Sequence, residues 1–189
     1  MSEQELIEAA RNGDHGAFAQ LVEANQSMVY NLAYRMTGSP EDAADLTQEA
    51  FLNAWRGLAR FGGQSAFSTW LYRLTSNACI DFLRKEKKRT ALSMTVDDGA
   101  EERQAELPDE RYAPHRELER REASDALRAG LAALSPDHRQ VLLLRELEGL
   151  SYARIAQVLE LEEGTVKSRI ARARLALRDF LKRSGNFSL

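Results

Sequence analysis

Apolar residues recur at three- and four-residue steps along most of the chain, the period of amphipathic helices, and strand-type alternation is nearly absent. Leu6, Ile7 and Ala10 share one side of a first helix over 3–12, which Asn12-Gly13 stops. Phe18, Leu21, Val22, Met28, Val29, Leu32 and Met36 mark a second helix over 15–37. Ser39 then predicts an N-cap, with Pro40 at the first helical position and Asp42 completing a capping box. That third helix runs to about residue 58, and Phe61-Gly62-Gly63 breaks the pattern. A fourth, over 65–88, carries Trp70, Leu71, Leu74, Ala78 and Phe82 inward and ends in a basic run from Arg84 to Arg89.

Periodicity lapses over 91–113, where acidic residues surround Pro108 and large apolar side chains are few. This stretch reads as a solvated, flexible linker. Helical pattern returns over 114–134, and Ser135-Pro136 opens another helix. Val141, Leu142, Leu143, Leu144 and Leu147 leave that helix little polar surface, which predicts deep burial before Gly149 ends it. The expected fold is all-α, with two small helical domains, 1–90 and 114–189, joined by the acidic linker 91–113.

The last part of the chain has a more specific layout. Ser151 is placed to cap a short helix with Ile155, Val158 and Leu159 on one face. After a break at 160–164, Thr165 reads as the N-cap of a second helix in which Val166, Ile170, Ala173 and Leu177 form a narrow apolar stripe. Lys167, Ser168, Ala171 and Arg172 fall outward, flanked by Arg169 and Arg174. Helix, tight turn and second helix is the layout that places a recognition helix in a DNA major groove. A helical hairpin offering a basic face to another protein shares the pattern.

Charge sharpens this picture. The 189 residues carry a net charge of −3, which conceals blocks of −5 (1–63), +4 (64–90), −5 (91–124) and +3 (125–189). Two cationic stretches separated by acidic ones suggest two phosphate-contacting surfaces on a chain that elsewhere repels nucleic acid. The N-terminus lacks the basic-then-apolar layout of a secretory signal, and no apolar run is long enough to span a membrane. One cysteine, Cys79, cannot form an internal disulfide and reads as a small packing residue in a reducing cytoplasm. His15, His115 and His138 are scattered, so no metal constellation is expected. No phosphate-cradling glycine loop or nucleophile elbow supports an enzyme, and no cofactor is expected.

Three segments together resemble a known family. Gly149-Leu150-Ser151-Tyr152-Ala153-Arg154-Ile155-Ala156, followed by Gly164-Thr165-Val166-Lys167-Ser168-Arg169, resembles the C-terminal helix-turn-helix of bacterial sigma factors. The run from Pro40 to Phe51, then Phe67 to Leu74 and Asn77 to Arg84, is similar to the family's other main domain. Having these two domains alone resembles the compact extracytoplasmic-function (ECF) class.

The resemblance implies an alternative sigma factor that binds RNA polymerase core enzyme and directs promoter recognition, melting and initiation. It implies that Asp45, Gln48, Glu49 and Asn53 face the polymerase clamp, an acidic surface suited to a basic one. It places the minus-ten element, with a flipped base, against Phe61, Gly63, Ser65, Phe67, Trp70, Tyr72, Arg73 and Asn77, with Arg84, Lys85 and Lys88 on phosphates. Of these, Trp70 at helical spacing reads first as a core residue. The minus-thirty-five element falls to Thr165, Lys167, Ser168, Arg169, Ala171 and Arg172, where Ala171 is smaller than in some relatives. An anti-sigma partner is implied as well. From the residues alone, a stand-alone helix-turn-helix regulator with an N-terminal dimerisation domain stays open.

Overall fold

The computed structural model describes residues 1–63, 65–93 and 114–184. Eight α-helices account for nearly all of them: α1 (Glu3–Arg11), α2 (His15–Thr37), α3 (Pro40–Gly57), α4 (Phe67–Ser93), α5 (Pro114–Ala133), α6 (Pro136–Leu142), α7 (Tyr152–Leu159) and α8 (Glu163–Arg183). The expected linker lies, apart from its first three residues, outside the described residues; those three extend α4 beyond its expected end. No strand occurs among the described residues.

Local chemistry explains most helix ends. Ser2 and Glu5 form a reciprocal capping box on α1. Asp14 caps α2 by accepting from Gly16 and Ala17 N–H, and Gly38, at φ 78°, closes it in the left-handed conformation that glycine adopts without strain. Ser39 caps α3 by accepting from Asp42 N–H, whereas its own N–H turns to Thr37 Oγ1 at 3.4 Å, so only half of the expected box forms. Ser135 and Ser151 cap α6 and α7 in the same way.

Three expectations need correction. Leu147, expected to be deeply buried, is 48% exposed. The leucine-rich helix opened by Pro136 does not continue as regular α-helix: Leu143–Leu147 form a π-helical turn, and Glu148 N–H reaches back to Leu143 C=O at 3.1 Å. Thr165 is not an N-cap. It lies inside α8, which starts two residues earlier behind Glu162, because Glu163 and Gly164 adopt helical geometry and Glu163 suits the positive end of the helix dipole.

The first domain, α1 to α4, buries Ile7, Leu21, Val29, Phe51, Leu58, Phe67 and Leu71 in one core. A second core gathers Val141, Leu143, Leu144, Ile155, Val158, Val166 and Ile170 from α6 to α8, and it continues across the domain boundary into Leu32, Met36, Leu46, Tyr72 and Cys79. The domains are therefore packed together, with α6, the π turn and α7 lying against α2 and α4.

Arg139 of α6 is central to that packing. It is 7% exposed and donates to Leu131 C=O (2.7 Å) and Ala132 C=O (2.7 Å) near the end of α5, and to Met36 C=O at the end of α2. One buried guanidinium thus satisfies the carbonyl ends of two helices, where the dipole favours a cation.

Candidate nucleic-acid interface

The α3 face expected to meet polymerase alternates as its spacing requires. Asp45, Gln48 and Glu49 are exposed, while Leu46, Ala50, Phe51 and Ala54 are buried on the other side. Asp45 and Gln48 border a shallow concavity shared with Gln26 and Tyr30 of α2. Asn53, one turn further along, is half-buried and belongs instead to a pocket on the α4 side.

That pocket, about 630 Å³, lies between the end of α3, the loop before α4 and the first turns of α4. Ser65, Thr69, Trp70 and Arg73 line it with Asn53 and Phe61. Its rear is an aromatic cluster: Phe61 stacks on Trp70 at 4.8 Å between centroids, and Phe67 lies 5.9 Å from Phe61 and 5.8 Å from Trp70. All three are buried, Phe67 almost completely, so their main duty is core packing; Trp70 and Phe61 also reach the pocket wall. Gly57 lets α3 come close, since a Cβ there would stand 3.0 Å from Trp70 Cζ2. Gly63, at φ 69°, supplies the left-handed residue of the loop. Thr69, 3% exposed, has a buried hydroxyl with no hydrogen-bond partner among the described residues. The sequence reading passed over it, because a threonine beside a tryptophan carries no distinguishing signal.

The remaining α4 candidates run along the helix. Asn77, Lys85 and Lys88 are exposed. Tyr72 is 9% exposed, and its hydroxyl donates to Glu148 Oε2 at 2.7 Å. Burial first, then the hydrogen bond and the charge of Glu148, hold its phenol well above the ordinary range, so it remains a neutral donor. Arg73 pairs with Glu160 of the second domain, and Arg84 with Asp137 at 3.5 Å.

On α8, Val166, Ile170 and Ala173 are buried while Lys167, Ala171 and Arg172 are exposed, as the apolar stripe predicts. Lys167 pairs with Glu163 at 2.6 Å, which raises its pKa, and its ammonium lies 5.7 Å over the Tyr152 ring. Arg172 rests along its own helix on Ser168, whose hydroxyl donates to Thr165 C=O. Arg169, half-buried, reaches Asp137 at 4.0 Å. With Glu162 and Glu163 at its start, the end of α8 is a poorer phosphate receptor than the expected Thr165 cap would be. The groups present can hold phosphates and touch base edges.

The second domain also bears an apolar groove of about 390 Å³ between α5, the π turn and α8, floored by Leu131, Leu142, Leu143 and Leu177, with Arg174 and Arg178 at its rim. From the sequence, Leu142, Leu143 and Leu177 read simply as core, and Leu131 carries no signal of its own. No group of three or more metal-ligating side chains occurs among the described residues, and none of their helices is long and apolar enough to cross a membrane.

Comparison with known proteins accounts for both halves. The Sigma-70 region 2 family model matches residues 21–89, and the Sigma-70 region 4 model matches residues 124–177. The chain is 39% identical to the RNA polymerase sigma-H factor of Pseudomonas aeruginosa, over 93% of this chain and 91% of that one. It is 34% identical to the ECF RNA polymerase sigma factor SigW of Bacillus subtilis, over 93% and 95% of the two chains. Identity to the ECF RNA polymerase sigma-E factor of Escherichia coli is 37%, over 94% and 93%. Among solved structures, CnrH in complex with the cytosolic domain of CnrY superposes with a TM-score of 0.67 at 25% identity, covering 96% of this chain and 97% of that chain. The sigma factor RpoE of Bartonella quintana in complex with the anti-sigma factor NepR gives 0.64 at 25% identity, covering 87% and 96%.

Proposed function

Because the chain belongs to the extracytoplasmic-function class of RNA polymerase sigma factors, we propose that its two domains divide promoter recognition between α4 and α8, with α3 as the face that meets core polymerase. It is an alternative sigma factor that directs transcription initiation. The observation that carries the division is that one chain presents two separate polar, largely cationic helix faces, Arg73, Asn77, Arg84, Lys85 and Lys88 on α4 and Lys167 and Arg172 on α8, with the exposed acids of α3 apart from both.

In this reading Asp45, Gln48 and Glu49 dock on a basic surface of core enzyme, and Asn53 closes the pocket behind them. The melted minus-ten strand runs along α4, its phosphates on Arg84, Lys85 and Lys88, with one unstacked base entering the pocket between Trp70, Thr69 and Arg73. A cavity of about 630 Å³ has room for a single base. The exposed face of α8 enters the major groove of the minus-thirty-five element, Lys167 and Arg172 reaching bases or phosphates while Ala171 allows close approach to a thymine methyl. The chain performs no catalysis of its own; polymerase carries out nucleotidyl transfer in the cytoplasm. Control by an anti-sigma factor is supported by the similar RpoE of Bartonella quintana, solved with the anti-sigma factor NepR.

Run-off transcription reconstituted with core polymerase is the test. Initiation that depends on both core and this chain supports the reading. Equal binding of duplex with and without core, and no initiation, makes the chain a stand-alone regulator.

A further inference from the structure

We propose that the chain binds a free fatty acid, with the carboxylate seated among arginines at the domain boundary and the hydrocarbon laid in the leucine groove of the second domain. Leu127, Leu131 and Leu147 line both that groove, of about 390 Å³, and a second cavity of about 270 Å³ bounded by α2, α5 and α6, so the two run together. Leu127 is 41% exposed and Leu147 48%, which concentrates bare apolar surface where the cavities meet. The second cavity has the opposite character. Arg35, Arg128 and Arg139 line it with the Ser124 hydroxyl, and no acidic side chain does so among the described residues. Arg139 commits three of its five N–H groups to the carbonyls of Leu131, Ala132 and Met36, which leaves two. Arg128 holds Asp125 loosely, at 3.8 Å, and Asp125 is not part of the cavity wall. The neighbouring glutamates are already engaged: Glu146 of the groove wall by Arg174, and Glu148 by Arg35 and Tyr72.

A cationic cavity joined to a leucine slot selects an anion with a linear apolar body. Guanidinium groups take a carboxylate through paired N–H bonds, and a neutral or cationic head would leave these arginines unmatched. The groove sets the tail. At roughly 30 Å³ for each water-sized group, 390 Å³ is the room of about a dozen methylenes, which suits one chain and not the two of a membrane lipid. Its floor is sealed between α5 and α8 at Gly130, where a Cβ would stand 2.6 Å from Leu177 Cδ1. Arg35 belongs to the first domain and Arg128 and Arg139 to the second, so the head group is held by both. No residue of the proposed DNA faces, nor of the α3 face assigned to core polymerase, lines either cavity, and the site therefore stands or falls independently of those assignments.

The test is calorimetric titration of the full chain with octanoate, decanoate and dodecanoate, each below its micelle concentration, joined to leucine-methyl NMR. The expected result is one bound molecule per chain, affinity that rises about fourfold with each added methylene, and shifted methyls at Leu127, Leu131 and Leu147. Arg128→Gln should weaken dodecanoate about tenfold or more, while Arg128→Lys keeps part of the affinity. Leu127→Trp adds bulk at the junction from an exposed position and should remove the dependence on chain length. Circular dichroism confirms the fold of each variant. Equal binding of dodecyltrimethylammonium overturns the carboxylate assignment, and affinity indifferent to chain length in the unsubstituted protein overturns the groove as the seat of the tail. Absence of saturation below the micelle concentration, or binding only to phosphatidylglycerol vesicles, overturns a site for a free fatty acid. If no fatty acid binds while Leu127→Trp lowers affinity for core polymerase, the groove is a protein-docking surface and the proposal falls.

Discussion

Arg139 of α6 donates to the carbonyl of Met36 at the end of α2, and this bond between residues of different domains sits in the same buried guanidinium that closes the end of α5. Replacement of Arg139 by Met preserves bulk and removes every donor, leaving Leu131, Ala132 and Met36 carbonyls without that partner. An orphaned buried carbonyl costs about 1–3 kcal/mol, and loosening of the contact lets water reclaim part of it. The expected loss is about 3 kcal/mol in urea-monitored unfolding, with Arg139→Lys recovering only part because one ammonium cannot serve three divergent acceptors.

What the chain order reveals and conceals follows from the range of each interaction. The cap at Ser39, the cap at Ser151 and the stripe of Val166, Ile170 and Ala173 depend on neighbours within four residues, and their spacing expresses them. Arg139 depends on Met36, about a hundred positions away, and looks like any solvated arginine in a helix. The π turn at Leu143–Leu147 is hidden for a related reason: a run of buried leucines satisfies either helical period, and packing selects one. α8 starts earlier than Gly164 suggests, because the glycine that signals a break takes helical geometry as the second residue of the helix. In the candidate interface, the exposure of Lys167 and Arg172 follows from helical phase, whereas Asn77 and Lys85 are pointed to only by the family resemblance. The engagement of Tyr72 by Glu148 follows from neither, since only the packed domains bring the two together.

Glu160→Gly should stabilise the second domain locally. Relief of the left-handed backbone at φ 53° is worth about 1 kcal/mol, and the exposed ion pair it deletes contributes about 0–1 kcal/mol. Hydrogen exchange of the α7 amides should therefore slow or stay level. Faster exchange there would mean that the contact to Arg73 outweighs the strain.

Stability should decline in alkali through Cys79. Burial, aided by the charge of Glu49, pushes its thiol up from 9.0 to about 12. A raised acid pKa means that the folded state retains its proton after the unfolded chain has lost it. The resulting stability is full below about pH 9 and drains away as pH rises toward 12, at about 1.4 kcal/mol per pH unit. Chemical denaturation between pH 8 and about 10.5 should show this slope, and Cys79→Ala should flatten it. The same burial makes the native thiol inert to disulfide reagents until the chain opens.

The proposed division of labour predicts separable defects. Arg172→Ala should cost about 1–3 kcal/mol of upstream-element binding and relax preference at one base position if its guanidinium reads an edge, or weaken all sequences alike if it holds a phosphate. Asp45→Ala with Gln48→Ala should leave duplex preference untouched and lower the affinity for core polymerase, since both side chains are exposed on α3, away from the α8 face. Competition for core enzyme reads the second effect, and duplex titration at fixed salt reads the first.

Thr69→Val separates fold from function at the pocket. The hydroxyl is buried without a partner among the described residues, so exchange for a methyl of similar size removes a desolvated dipole and should leave stability unchanged or raise it by about 1 kcal/mol. Thr69 lines the pocket with its unpartnered hydroxyl buried in the wall, so a base reaches it only if the wall adjusts on entry; loss of the hydroxyl should then weaken capture of the unstacked base and blunt discrimination at that promoter position. Open-complex lifetime on a promoter series varied at the flipped base measures this, with Thr69→Ser as the control that keeps the hydroxyl. Equal lifetimes for the valine and serine variants would confine Thr69 to packing.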